Sequence, residues 1–254
     1  MTTPALSSDL EFAVDVVRQA GEFTLTHFRA AELEIIRKED GSPVTVADRG
    51  AEDLMRHLIS ARFPDDSILG EETGETGGSS GRRWVIDPID GTEAFTHGVA
   101  LYTNLLYLED DNGPSVGVIN VPAIREMIWA GRGLGCFLNG VPCSVSTRTE
   151  LPGSVLTTSG FDYWDPEMLQ SVRRSGMQMR TWGDGYGYML VASGRVEVMV
   201  DPVISFWDIA PCLVIIPEAG GTLSTVEGAT GTELPSCVAT NGLLHDQVIA
   251  ALNP

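Results

Sequence analysis

Three acidic clusters carry the chemistry that this chain could perform. "LGEETG" holds Glu71 and Glu72, "DPIDGT" holds Asp87 and Asp90, and "FWDIAP" holds Asp208. The first two follow segments that read as short strands, and Asp208 sits where a helix is expected to begin. Taken singly, each has an ordinary explanation, because Asp-Gly pairs make turns and an Asp at a helix start caps it. Taken together, carboxylates converging on one cleft would repel one another and so invite a hard cation. Oxygen ligands without His or Cys select Mg²⁺, Mn²⁺ or Ca²⁺. Pro88 stiffens the turn between Asp87 and Asp90. Behind it, Gly91 and Thr92 are expected to open a helix whose free N–H groups suit a phosphate.

A phosphate needs that local help, because the formal net charge of the 254-residue chain is −19. Such a surface repels nucleic acid and anionic membrane, so neither partner is expected. The start, "MTTPALSSDLEFAVDVV", has no basic region followed by a long apolar run, and the apolar stretch "IAPCLVIIP" is too short to span a bilayer. Cys136, Cys143, Cys212 and Cys237 form no CxxC pair and read as reduced thiols of a cytoplasmic protein. His27, His57, His97 and His245 are scattered, which argues against zinc.

The elements that must position the acids can be read from periodicity. Ser8 with Glu11 makes a capping-box pattern, followed by Leu10, Ala13, Val14, Val17, Leu25 and Phe28 near helical spacing. A second helix is expected after Asp48, with Ala51, Leu54, Met55, Leu58 and Ile59 on one face and Pro64 ending it. Strands follow: "RWVID", then "LYTNLLYLED" and "PSVGVINVP" flanking the turn "DDNG", then "REMIWAG" and "GCFLNG". "GEETGETGGSSGRR" reads as a surface loop able to move. From about residue 165 helices are expected near 166–174, 185–193, 207–219 and 242–252, with strands near 196–200, 221–226 and 236–240. An antiparallel half (1–150) followed by an alternating half (151–254), within one domain over 1–254, points to layered α and β.

"GEE", "DPIDGT" and "WDIA", in this order and spacing, resemble the inositol monophosphatase superfamily of Mg²⁺-dependent phosphatases, as do "SPVTVAD" upstream and "EAGG" downstream. The resemblance covers nearly the whole chain. It implies a layered αβαβα sandwich, a homodimer, two or three Mg²⁺ ions per active site with Mn²⁺ as a substitute, and a small phosphorylated metabolite as substrate. It also implies roles. Glu71 would bind metal and help activate water. Asp87 would bridge metals, with the Ile89 carbonyl as a further ligand, and Asp90 and Asp208 would hold the second metal. Thr92 and Asp48 would position the attacking water. Asp90, Gly91 and Thr92 would face the substrate. Loss of Asp48, Thr92 or Glu71 would mark a metal and anion binder without catalysis, and all three are present.

Within that superfamily "TWGDGYGYMLVASGRVEVMVDP" (181–202) is similar to the histidinol-phosphate phosphatase branch, where an Asp follows the Gly. Histidinol phosphate carries an ammonium beside its ester, which Asp184, or Asp201, could pair. Inositol, sugar and cyclitol phosphates remain alternatives. Phe161, Tyr163 and Trp164 in "FDYWDP" could pack on an imidazole, although buried core is the simpler expectation for most of them. The chain departs from the resemblance at Pro211, which replaces the small residue usual after "WDIA" and is tolerable in a first turn, at Pro217, which falls late in the same helix and is expected to kink it, and at Gly185, where relatives of this branch often carry Cys.

Overall fold

The computed structural model describes residues 3–31, 33–38 and 41–254. Two helices and a short hairpin open the chain: α1 (Thr3–His27), β1 (Ile35–Arg37), β2 (Pro43–Thr45) and α2 (Val46–Arg62). Then come β3 (Ser67–Gly70), β4 (Gly74–Thr76), β5 (Arg83–Asp90), α3 (Thr92–Thr96), β6 (Thr103–Asp110), β7 (Gly113–Val121), β8 (Glu126–Gly131), β9 (Gly135–Leu138) and β10 (Val141–Pro142). The rest is β11 (Val155–Thr157), α4 (Pro166–Arg174), β12 (Gln178–Arg180), α5 (Asp184–Ala192), β13 (Val198–Asp201), α6 (Phe206–Ile209), α7 (Cys212–Glu218), β14 (Thr222–Ser224), β15 (Cys237–Thr240) and α8 (His245–Leu252).

Strands β3 to β10 form one sheet in the order β10-β9-β8-β7-β6-β5-β3-β4, antiparallel except where β3 meets β5. Strands β11 to β15 form a second, in the order β12-β11-β13-β15-β14, in which β11 lies parallel to both of its neighbours. Side chains on a strand alternate between faces. Trp84, Ile86, Leu106 and Leu108 accordingly pack on one side of the large sheet with Leu10, Ala13 and Val17 of α1 and Met55 and Ile59 of α2. Val85, Leu105, Tyr107 and Ile119 face the other way, onto α5, α6, α7 and the near face of the second sheet. The far face of that sheet is covered by α4 and α8 through Val172, Val248 and Leu252. The result is an αβαβα layering.

Several local expectations shift. α1 begins at Thr3, so Ser8 and Glu11 lie inside it and do not start it, and Leu25 near its end is 40 % exposed. α2 begins two residues before Asp48, with Thr45 as its cap and Asp48 in its first turn. In the Gly/Ser stretch, residues 73–81 are exposed and include a short strand. β4 pairs with β3, the Ser79 and Ser80 N–H groups donate to Asp65 O, and the Gly78 N–H donates to Ser67 Oγ. The helix expected over 207–219 is two short ones, because Pro211 has no N–H to continue the first and instead stands at the head of the second. Pro217 falls in the last turn of α7, which runs on to Glu218. All four cysteines are free, and no helix among the described residues is long and apolar enough to cross a membrane.

The break at Pro211 meets the sheet at one tight point. A Cβ on Gly117 of β7 would lie 2.3 Å from the Pro211 carbonyl oxygen, a backbone atom that cannot swing aside. Gly117→Ala is therefore expected to destabilise the protein by roughly 1–3 kcal/mol, the usual cost of forcing extra volume into a packed core. Denaturant unfolding checks this, and an unchanged midpoint would show that the junction yields.

Candidate active site

In a regular strand, residues three apart point to opposite faces. Asp87 and Asp90 should therefore diverge along β5. They do not, because β5 carries a bulge: Asp87 is opposite Leu105 and Asp90 is opposite Thr103, three steps against two on β6. The extra residue turns Asp90 back to the side of Asp87. Pro88 lies inside the bulge, where its missing N–H costs no ladder bond, and its carbonyl accepts from Asn104 Nδ2 at 2.7 Å. The strand therefore extends through the acidic motif and does not end before it.

Asp208 arrives from α6, where Ser205 N–H donates to its Oδ2 at 3.0 Å. Carboxylate oxygens of Asp87, Asp90 and Asp208 lie within 4.8 Å of one another, and the first two residues are buried. Burial first, then the charges of Glu71, Asp90 and Asp208, push the Asp87 carboxyl well above its ordinary range. Burial first, then Asp184 and Asp208, do the same to Asp90, against the opposing hydrogen bonds from Gly185 N–H and Thr103 Oγ1. Asp208 is pushed up to about 7, chiefly by burial, with Glu71 adding to it.

Glu71 follows β3, and its Oε1 accepts from Lys38 Nζ at 2.7 Å; the same ammonium bonds Glu72 Oε1 at 2.6 Å. Burial works against the Lys38 charge, but the two glutamates outweigh it and hold the ammonium above its ordinary value. The turn after Glu71 hangs on Glu52 of α2, which accepts from Glu72 N–H at 2.8 Å and Thr73 N–H at 3.2 Å and pairs with Arg56. Neither Lys38 nor Glu52 stood out in the sequence. Glu52 and Arg56, four apart on a helix, look like any exposed pair.

Asp48 is fully buried at the start of α2. Its Oδ2 accepts from Thr45 N–H and Thr45 Oγ1, which leaves Oδ1 to face Thr92 Oγ1 at 3.1 Å. Thr92 Oγ1 is also 2.8 Å from the Ile89 carbonyl. Gly91 caps α3 in a left-handed conformation that favours glycine, and a Cβ there would lie 2.6 Å from Asp184 Oδ2. Asp184 itself is left-handed, at φ 54°, with its N–H on Ser159 Oγ at 2.9 Å. Burial, then the charge of Asp201, raise it to about 6. Asp201 is engaged from within: Oδ1 accepts from Ser159 N–H and Oδ2 from the Tyr188 hydroxyl. Asp90, Asp184, Asp201 and Asp208 all line one cavity of about 260 Å³.

The donor set fits hard divalent cations. It is all oxygen, Asp87 Oδ1 is buried without a hydrogen-bond partner among the described residues, and Lys38 already places one positive charge on Glu71. Asp87, Asp90 and Asp208 would hold such ions, with Glu71 beside them.

The profile of the inositol monophosphatase family matches residues 5–254. The chain belongs to the inositol monophosphatase family. It is 42 % identical over 252 residues to a histidinol-phosphatase of Chlorobaculum parvum, covering 97 % of each chain. It is 40 % identical to a histidinol-phosphatase of Mycobacterium tuberculosis, covering 96 % of this chain and 98 % of the other. The solved structure of the Thermotoga maritima IMPase superposes with a TM-score of 0.89 at 29 % identity, covering 97 % of each chain. This family member is a phosphoric monoester hydrolase, and the family depends on metal.

The repulsion among the acids has a consequence for the metal-free protein. Asp184 and Asp208 have folded pKa values raised above the unfolded 3.8. Their favourable contribution is therefore complete below that value and is lost as pH rises through about 6 and about 7. Chelator-treated protein should melt at a lower temperature at about pH 8 than at about pH 5, and added Mg²⁺ should narrow the gap. Asp208→Asn should narrow it too. Melting that is indifferent to pH in chelator would refute this electrostatic account.

Proposed function

We propose that this phosphatase hydrolyses L-histidinol phosphate to L-histidinol and inorganic phosphate, using Mg²⁺. The observation that carries the reading is the position of Asp184. Its carboxylate lies against Gly91, on the wall of the cavity that Asp90 and Asp208 also line. A substrate whose ester phosphate sits on metal held by those carboxylates would bring a neighbouring ammonium towards Asp184. A cation leaving water there needs such a partner. The similarity to proteins named histidinol-phosphatase supports the same substrate.

The metals, when bound, supply a water of lowered pKa and a positive clamp on the phosphoryl oxygens. Glu71, Asp87, Asp90, Asp208 and the Ile89 carbonyl would hold them. The remaining work falls to Asp48 and Thr92. With Oδ2 occupied by Thr45, Asp48 offers Oδ1 to the Thr92 hydroxyl. A hydroxyl that donates to Asp48 turns its lone pairs outward, where they accept a hydrogen bond from the attacking water and fix its direction. Gly91 and the uncapped first turn of α3 leave N–H groups for the phosphate.

Two outcomes are expected. Thr92→Ala removes the water's acceptor and leaves the backbone donors, so turnover should fall by roughly 10²-fold with little change in substrate affinity. Asp184→Asn should lower kcat/KM for histidinol phosphate by roughly ten- to hundred-fold, the scale of a hydrogen bond to a charged group. A phosphate ester of similar size without an amine should lose far less. Steady-state kinetics on the two esters, with Mg²⁺ and with chelator, decide it. Equal losses on both would make Asp184 structural, and efficient hydrolysis of inositol phosphate instead would replace the substrate reading.

A further inference from the structure

The turn 158–164 is pinned from several sides. Ser159 N–H donates to Asp201 Oδ1 at 3.0 Å, and Asp184 N–H donates to Ser159 Oγ at 2.9 Å. Thr158 Oγ1 donates to the Gly160 carbonyl at 3.0 Å and accepts from Trp164 Nε1 at 3.1 Å. Trp164 is buried in the core beneath the second sheet, and its backbone N–H closes the turn onto the Phe161 carbonyl. Of the three aromatic residues in this turn, only Trp164 takes the buried role expected of them.

Tyr163, its neighbour, is 71 % exposed. Among the described residues it makes no hydrogen bond and no ring contact, yet it lines the same cavity as Asp184. A large ring held out on a fixed turn gives the fold nothing. Two further apolar side chains, Val203 (58 % exposed) and Ile204, line that cavity as well. The cavity thus combines carboxylates suited to metal and ammonium with an apolar, aromatic surface that phosphate and ammonium do not use. Asp162 lines it beside Tyr163 and offers an acceptor.

We propose that Tyr163 is a specificity residue that receives the flat heteroaromatic ring of the substrate, with Asp162 accepting the ring N–H. The inference rests on the histidinol phosphate reading, since an imidazole is a flat ring with one N–H donor, and it assigns the part of that molecule which Asp184 leaves unread. Aromatic and cation–ring contacts favour this arrangement. Because the turn is already fixed, little ordering is lost on binding.

The test uses the Mg²⁺-loaded enzyme and two esters: histidinol phosphate and 2-aminopropyl phosphate, which keeps the phosphate and the ammonium and lacks the ring. Tyr163→Ala should raise KM for histidinol phosphate and lower kcat/KM by roughly three- to thirty-fold, the scale of one aromatic contact. The ringless ester should change by less than about two-fold, and Tyr163→Phe, which keeps the ring, should stay near wild type on both. Equal losses on both esters would overturn the proposal by showing that Tyr163 shapes the site in general. An unchanged preference for histidinol phosphate in Tyr163→Ala would also overturn it, and would leave the substrate reading standing. A wild-type enzyme that does not favour histidinol phosphate over the ringless ester would overturn the substrate reading itself and this assignment with it.

Discussion

The site is organised around carboxylates that cannot all be ionised in the absence of a cation. Asp87, Asp90 and Asp208 are held within a few ångströms of each other, with Glu71 and Asp184 near enough to raise their neighbours' pKa values. Such a cluster is unfavourable as built and becomes favourable only with positive charge in its midst. Much of the surrounding architecture holds these groups in place against their own repulsion.

That restraint comes from different layers of the fold. The bulge in β5 sends Asp87 and Asp90 to one side, α6 delivers Asp208, and the Glu52 clamp on α2 fixes the turn that carries Glu71. The start of α5 touches two parts of the acidic site at once, because Gly185 N–H bonds Asp90 while the adjacent Asp184 faces Gly91. A Cβ on Gly185 would come within 2.5 Å of Thr103 Oγ1 and 3.0 Å of Asp90 Oδ2, so the close approach depends on glycine.

The layered fold and the acidic motifs were legible in the sequence because both rest on local patterns. Short apolar runs such as Leu105–Leu108 and Val116–Val121, bounded by turn residues, mark β6 and β7, and Asp-Pro-Ile-Asp-Gly-Thr is contiguous. The missed features depend on contacts distant in sequence. A three-residue spacing in a strand implies opposite faces, and only pairing with β6 reveals the bulge that reverses this. Glu52 has the pattern of an exposed residue but is completely buried, because the turn after β3 folds down onto it. Tyr163 and Trp164 are adjacent aromatics with opposite fates, and only the anchor at Thr158 tells them apart. The sequence pointed to Pro217 as the place where one long helix could bend, but the chain breaks at Pro211, and the close approach of Gly117 that accompanies the break lies on a distant strand.

Lys38, at the end of β1, gives the site a resident counterion of its own. An ion arriving at Glu71 competes with an ammonium that is part of the same molecule, whose effective concentration is set by the β1–β2 hairpin and not by the solution. If Glu71 is a metal ligand, as proposed, its occupancy is the difference between two affinities, one for the dissolved ion and one for the tethered side chain. On that proposal, a substitution in this small hairpin would retune how much metal the enzyme demands without altering a single ligand.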